Sequence, residues 1–194
     1  SLAYTLSGMN TSAIARAVST GEIVEYYTLP YAVIQASYSP DGASMMTIDY
    51  QYTVTLWNVA DGTQLRQMGQ DSFYVECLAF SPDGVTLAAG SDDGAVRLWR
   101  VSDGMLLRTL RGKGNYVISV AFLPDGRLAS FSLMTNAPST DGGFYLWRVS
   151  DGLQLGNLSV TNIGGSKVAA VSPDGLSLAV GNSEYGVYVW SVGD

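Results

Sequence analysis

The sequence predicts an all-β fold assembled from repeated four-stranded antiparallel units. Three observations carry this. A Pro-Asp-Gly turn occurs four times, in Ser39-Pro40-Asp41-Gly42, Ser81-Pro82-Asp83-Gly84, Leu123-Pro124-Asp125-Gly126 and Ser172-Pro173-Asp174-Gly175. A tryptophan follows each one, Trp57, Trp99, Trp147 and Trp190, 16 residues after the turn aspartate in three units and 22 in the third. A second turn then closes three of the units, at Asp61-Gly62, Asp103-Gly104 and Asp151-Gly152, with the shorter Val192-Gly193-Asp194 after the last tryptophan.

Each piece has a physical meaning. In Ser-Pro-Asp-Gly, proline presets φ at the second position and glycine accepts a positive φ at the fourth, which suits a type I turn. An alternating apolar stretch such as Val117-Ile118-Ser119-Val120-Ala121-Phe122 precedes the turn as a first strand. A second follows it, as in Thr86-Leu87-Ala88-Ala89-Gly90. Ser91-Asp92-Asp93-Gly94 then turns into a third, Val96 to Val101, and Ser102-Asp103-Gly104 into a fourth, Met105 to Leu110. Four short antiparallel strands joined by tight turns make one blade of a β-propeller. One such sheet cannot bury both of its faces, so neighbouring blades must stack, with the tryptophan filling the gap between them.

The N-terminal segment fits the same frame. Ala15-Arg16-Ala17-Val18-Ser19-Thr20-Gly21 aligns with Leu98 to Gly104, which places Arg16 where the tryptophan would be. Leu2 to Leu6 then reads as a second strand and Glu22 to Leu29 as a fourth. The expected organisation is one propeller domain over 1–194: a partial blade at 1–29, blades at 30–68, 69–110 and 111–158, and a blade lacking its last strand at 159–194. A period of about 42 residues gives about 4.5 blades, within the usual range of ring sizes. The two partial blades overlap rather than complement one another. The expectation is therefore a ring with more blades than this chain supplies, from further sequence or a second chain, with self-association through the incomplete ring. Opening at Ser1 without Met, inside a strand-like stretch, points the same way.

Composition agrees with β structure and excludes several function classes. The chain is 47% hydrophobic and only 14% charged, with 22 Gly and 12 Tyr. Its net charge of −7 does not describe an acidic patch, because seven of the 13 aspartates sit in the recurring turns. The eight arginines are dispersed and lysine is nearly absent, which argues against nucleic acid, whose phosphates need clustered cations. Cys77 lies in an apolar alternating stretch and reads as a buried structural thiol. No apolar run reaches the length of a membrane span, and no signal peptide is visible.

The Ser-Pro-Asp-Gly turn, the Ser-Asp-Asp-Gly turn at 91–94, the Leu98-Trp99 strand ending and the period together resemble the WD-repeat family, in its divergent, bacterial form. The resemblance covers essentially the whole chain. Typical members carry a Gly-His pair before the first strand, whose His bonds the turn Asp in a buried polar network. This sequence has no His; Gly69-Gln70 and Gly112-Lys113 stand at the matching positions. The turn Asp is retained as Asp93 and Asp141, while Gln51 and Glu184 stand in for it elsewhere, within a residue of alignment. Asn58, Arg100, Arg148 and Ser191 replace the Asp of the family's Trp-Asp pair. The blades are expected to stand on turn chemistry and packing.

The resemblance implies a partner-binding rim, formed by the loops that join the fourth strand to the next first strand and the second strand to the third. By position this rim would include Tyr31, Tyr50, Tyr52, Phe73, Tyr74, Asn115, Tyr116 and Tyr185. It would also hold the insertion of the third unit, within 134–141, with Asn136. Aromatic residues on a polar rim suit recognition of protein or sugar. The alternative for several of them is a strand-end residue packed on the adjacent blade.

Catalytic chemistry is sparse. Without His, Ser-His-Asp and Cys-His catalysis and most transition-metal sites are gone. Gly112-Lys113-Gly114 lacks the spacing of a phosphate loop. The adjacent acids Asp92 and Asp93 read as turn caps rather than a glycosidase pair. Asn10-Thr11-Ser12 and Asn157-Leu158-Ser159 are glycosylation sequons, which matter only in a secreted eukaryotic protein. The expectation is no enzyme, no cofactor and no metal. Instead, a non-catalytic scaffold should hold a protein partner or sister subunit. The alternative is a carbohydrate- or small-ligand-binding propeller, since scarce Lys and abundant Tyr, Ser, Thr and Gly suit an extracytoplasmic surface.

Overall fold

The computed structural model describes residues 2–5, 12–17, 23–28, 32–68, 74–134, 142–160, 168–172, 176–182 and 186–191. All regular structure among them is β, and no helix occurs in the described residues. The chain forms two compact units, Ser1–Ser72 and Phe73–Asp194.

The first unit holds two antiparallel sheets. One is three-stranded, β1 (Leu2–Thr5), β2 (Ser12–Ala17) and β3 (Ile23–Thr28), in sequence order. The other has four strands, β4 (Val33–Tyr38), β5 (Ser44–Asp49), β6 (Val54–Asn58) and β7 (Gln64–Met68). Met45 and Trp57 are directly opposite one another on β5 and β6 and centre a cluster with Val33, Ala36, Tyr38 and Val59.

The second unit holds three sheets. The first comprises β8 (Val75–Phe80), β9 (Thr86–Ser91), β10 (Ala95–Arg100) and β11 (Leu106–Arg111). Next come β12 (Tyr116–Phe122), β13 (Leu128–Leu133), β14 (Gly142–Arg148) and β15 (Leu153–Val160). The last is three-stranded, β16 (Val168–Val171), β17 (Ser177–Asn182) and β18 (Gly186–Ser191). Every sheet runs in sequence order, as hairpins joined by tight turns require.

Within this unit the sheets stack face to face with their first strands adjacent: β12 packs on β8, and β16 on β12. Alternation along each strand lets one sheet serve two neighbours. On β14, Tyr145 and Trp147 face back into a cluster with Cys77, Ala88, Leu98, Leu110 and Val117. Phe144, one step out of phase, faces forward with Phe131, Val160 and Val180 and lies 5.9 Å from the Trp190 ring. Trp147 is 3% exposed, so removing its side chain should cost about 3–5 kcal/mol. The expectation that tryptophan fills the gap between sheets holds here.

A register shift between the third and fourth strands recurs immediately before the tryptophan, at Leu56/Trp57, Leu98/Trp99 and Leu146/Trp147. The same shift falls at Ala15/Arg16 in β2. The backbone thus treats Arg16 as the tryptophan position of the first sheet, as the sequence alignment expects.

Candidate partner-binding rim

Antiparallel order puts the turns between second and third strands, and the linkers between sheets, at one end of each sheet. In the second unit that end is built around Ser91–Gly94. Gly94 adopts φ 76° and its N–H donates to the Ser91 carbonyl at 3.2 Å. The Ser91 hydroxyl donates to Asp93, and the Ala95 N–H reaches the same carboxylate at 3.1 Å. The Arg97 guanidinium then grips Asp93 with two nitrogens, at 3.0 and 2.7 Å. Arg111, at the end of β11, adds a third contact at 3.0 Å and donates to the Asp93 carbonyl at 2.8 Å. The Arg97 hydrogen bonds, aided by Ser91 and Ala95, outweigh partial burial and hold the Asp93 carboxyl far below the usual carboxylate range.

The linker from β11 to β12 is fitted to this turn. A side-chain carbon on Gly94 would sit 2.6 Å from the Gly114 carbonyl oxygen and 2.9 Å from the Asn115 Cα. The Lys113 N–H donates to the Tyr145 hydroxyl at 2.9 Å, and the Asn115 N–H to the Leu133 carbonyl at 3.1 Å. Gly112 and Gly143 leave the room that Tyr145 occupies, since a Cβ on Gly112 would fall 2.7 Å from its ring and one on Gly143 2.9 Å from its hydroxyl. Asp92 and Tyr74 exchange two bonds of 3.0 Å: the Asp92 N–H donates to the Tyr74 carbonyl, and the Tyr74 N–H to the Asp92 carboxylate.

These contacts gather Tyr74, Asn115 and Tyr116 at one end of the second unit. Tyr74 is 55% exposed, whereas Asn115 and Tyr116 are half-buried. Tyr116 opens β12 opposite Leu133. In the first unit Tyr50 and Tyr52 occupy the corresponding turn of their own sheet. Tyr50 is 68% exposed and its N–H donates to the Ala32 carbonyl at 3.1 Å, while Tyr52 adopts φ 60°. The acid of this turn is Asp49: its carboxylate accepts the Gln51 N–H at 2.8 Å and the Thr53 N–H at 3.0 Å. Asp49, two residues before Gln51, therefore supplies the turn carboxylate. Tyr31, Phe73, Asn136 and Tyr185, with most of the 134–141 insertion and Asp141, lie outside the described residues.

Sequence reasoning missed Arg97, Arg111 and Tyr145. The available signal was an arginine two residues before Trp99 and a tyrosine two residues before Trp147. Part of a buried polar network is also present without His. Trp57 Nε1 donates to Thr47 Oγ1, and Trp147 Nε1 to Ser130 Oγ, each at 2.8 Å.

At the opposite end, each ion pair joins one arginine to one aspartate: Arg100 to Asp103 at 2.9 Å, Arg148 to Asp151 at 2.7 Å and Arg127 to Asp125 at 2.6 Å. Asp92 accepts a backbone N–H and Asp93 is engaged by arginines, so both act in the turn, as expected. Cys77 is fully buried, and burial pushes its thiol up to about 12. No group of acids and cysteine suited to a metal ion occurs among the described residues.

Repeated blades of antiparallel strands, stacked through tryptophan-bearing faces, define a propeller-blade repeat protein. Residues 62–100 and 104–148 each match the family model described as WD domain, G-beta repeat. Over these two stretches the chain is similar to the WD-repeat family. A comparison with curated proteins gives no match. WD repeats are in general protein-interaction scaffolds and typically non-catalytic. No helix among the described residues is long and apolar enough to cross a membrane.

Proposed function

We propose that this chain is a non-catalytic scaffold whose rim of second-to-third-strand turns and inter-sheet linkers holds a protein partner, making it one subunit of a larger assembly. The observation that carries this is the rim of the second unit. Its turn and linker are locked together by hydrogen bonds and close backbone contact, and they present an exposed Tyr74. A rigid loop bearing an exposed aromatic binds at little entropic cost, which is what an interaction surface requires. The repeats are taken as blades of one propeller domain.

Affinity capture from the native source with wild type, Tyr74→Ala and Tyr50→Ala tests this. The expected result is a stoichiometric partner retained by wild type and lost by at least one variant with an unchanged melting temperature. A partner retained equally by both variants would remove the rim from the reading, and absence of any stoichiometric partner would remove the scaffold. The same exposed tyrosines are what stacking on a sugar would use. Saturable binding on a glycan array, abolished by Tyr74→Ala, would replace the protein partner with a carbohydrate.

A further inference from the structure

The ion pairs at the two ends of the second unit differ in stoichiometry. At one end three arginines each meet one aspartate, in Arg100–Asp103, Arg148–Asp151 and Arg127–Asp125. At the rim end, two arginines share Asp93. Arg97 alone satisfies both carboxylate oxygens of Asp93. Its side chain is only 12% exposed, whereas Arg111, the second guanidinium on the same carboxylate, is 56% exposed. Lys113, two residues further along the linker, is exposed as well. Asp93 thus meets two guanidinium groups, and Lys113 adds a further cation beside them, on a chain whose net charge is −7. Tyr74 is joined to the same turn through Asp92.

We infer that this surface receives an acidic peptide segment of the partner, with a Glu or Asp carboxylate on Arg111, a neighbouring one on Lys113, and Tyr74 packing against the chain between them. The inference rests on the proposed rim and names the chemistry of what sits there. A guanidinium fork recognises a carboxylate with two parallel bonds, and Arg111 can offer one without leaving the Asp93 carbonyl. Asp93 stays neutralised by Arg97 throughout, so docking strands no buried charge. Nucleic acid is disfavoured as the occupant, because phosphate binding draws on many clustered cations, whereas Arg97, one of the three named here, is already engaged by Asp93.

Fluorescence anisotropy of a fluorescein-labelled hexaglutamate peptide on the whole chain tests this. Binding should be saturable at low salt and weaken steadily as salt rises, against the repulsion expected from the protein's net charge. Arg111→Gln should weaken it about tenfold, the scale of one charge-assisted bond, and Lys113→Gln severalfold. Arg127→Gln, which breaks a one-to-one pair at the other end, should leave it unchanged. The inference fails if wild type shows no saturable binding, or if Arg127→Gln weakens binding as much as Arg111→Gln. It fails equally if a labelled 12-nucleotide oligouridine binds more tightly than hexaglutamate. Melting curves accompany each variant, and Lys113→Gln decides the matter should Arg111→Gln melt early. Partner capture that still depends on Tyr74 while hexaglutamate fails to bind overturns the acidic segment alone. Failure of both overturns the rim.

Discussion

Asp93 concentrates more interactions than any other charged side chain described in this chain, and its protonation state carries stability. Its carboxyl is held below its unfolded value by the hydrogen bonds from Arg97 first, then from Ser91 and Ala95. A depressed carboxyl contributes stability that is fully present above its unfolded value, near 3.9, and is lost as pH falls toward the folded one. Asp93→Asn should therefore destabilise the chain by about 1–2 kcal/mol at neutral pH, a figure reduced for partial exposure of the pair. The melting difference between variant and wild type should persist down to about pH 4 and narrow below it. Chemical denaturation at a series of pH values checks this; a difference that stays constant through the acid range would show that the ionised form is not what stabilises the turn.

At the scale of the element, the tight fit belongs to the turn between β9 and β10. Gly94 needs a left-handed φ and also lies under the Gly114 carbonyl. Gly94→Ala should cost roughly 1–3 kcal/mol from the backbone conformation alone, with displacement of the linker added. Gly126, at φ 83° but with open space around it, supplies the comparison: alanine there pays only the conformational part. Equal losses of melting temperature at the two sites would mean that the linker yields freely. The strands and turns themselves were legible in the sequence, because proline, glycine and alternating apolar residues act locally. Even the first sheet could be aligned, with Arg16 at the tryptophan position, because the bulge that precedes tryptophan belongs to the backbone pattern. The rim was legible only as a set of loops. Arg111 meets Asp93 across 18 residues and Tyr145 meets Lys113 across 32, and no local periodicity announces such meetings.

At the scale of the molecule, the second unit behaves as a stack in which each sheet contributes one face to each neighbour. Leu98 lies in the cluster between the first and second sheets of this unit, and Phe144 in the cluster between the second and third. Leu98→Ala should cost about 2–5 kcal/mol and Phe144→Ala about 3–5. Since the two share no cluster, the double variant should lose their sum to within about 0.5 kcal/mol. Urea titration of the four proteins measures this, and a large coupling would show that the stack melts as one indivisible core. Tyr145 gives this architecture a temporal side. Its hydroxyl fixes the linker at Lys113, yet it arrives on β14, the third strand of the sheet that the linker enters. A chain emerging from the ribosome N-terminus first therefore makes the rim loop well before it makes the group that sets the loop's shape. The rim matures only when the following sheet has docked, so a nascent or half-folded chain does not yet display the surface that its finished form offers.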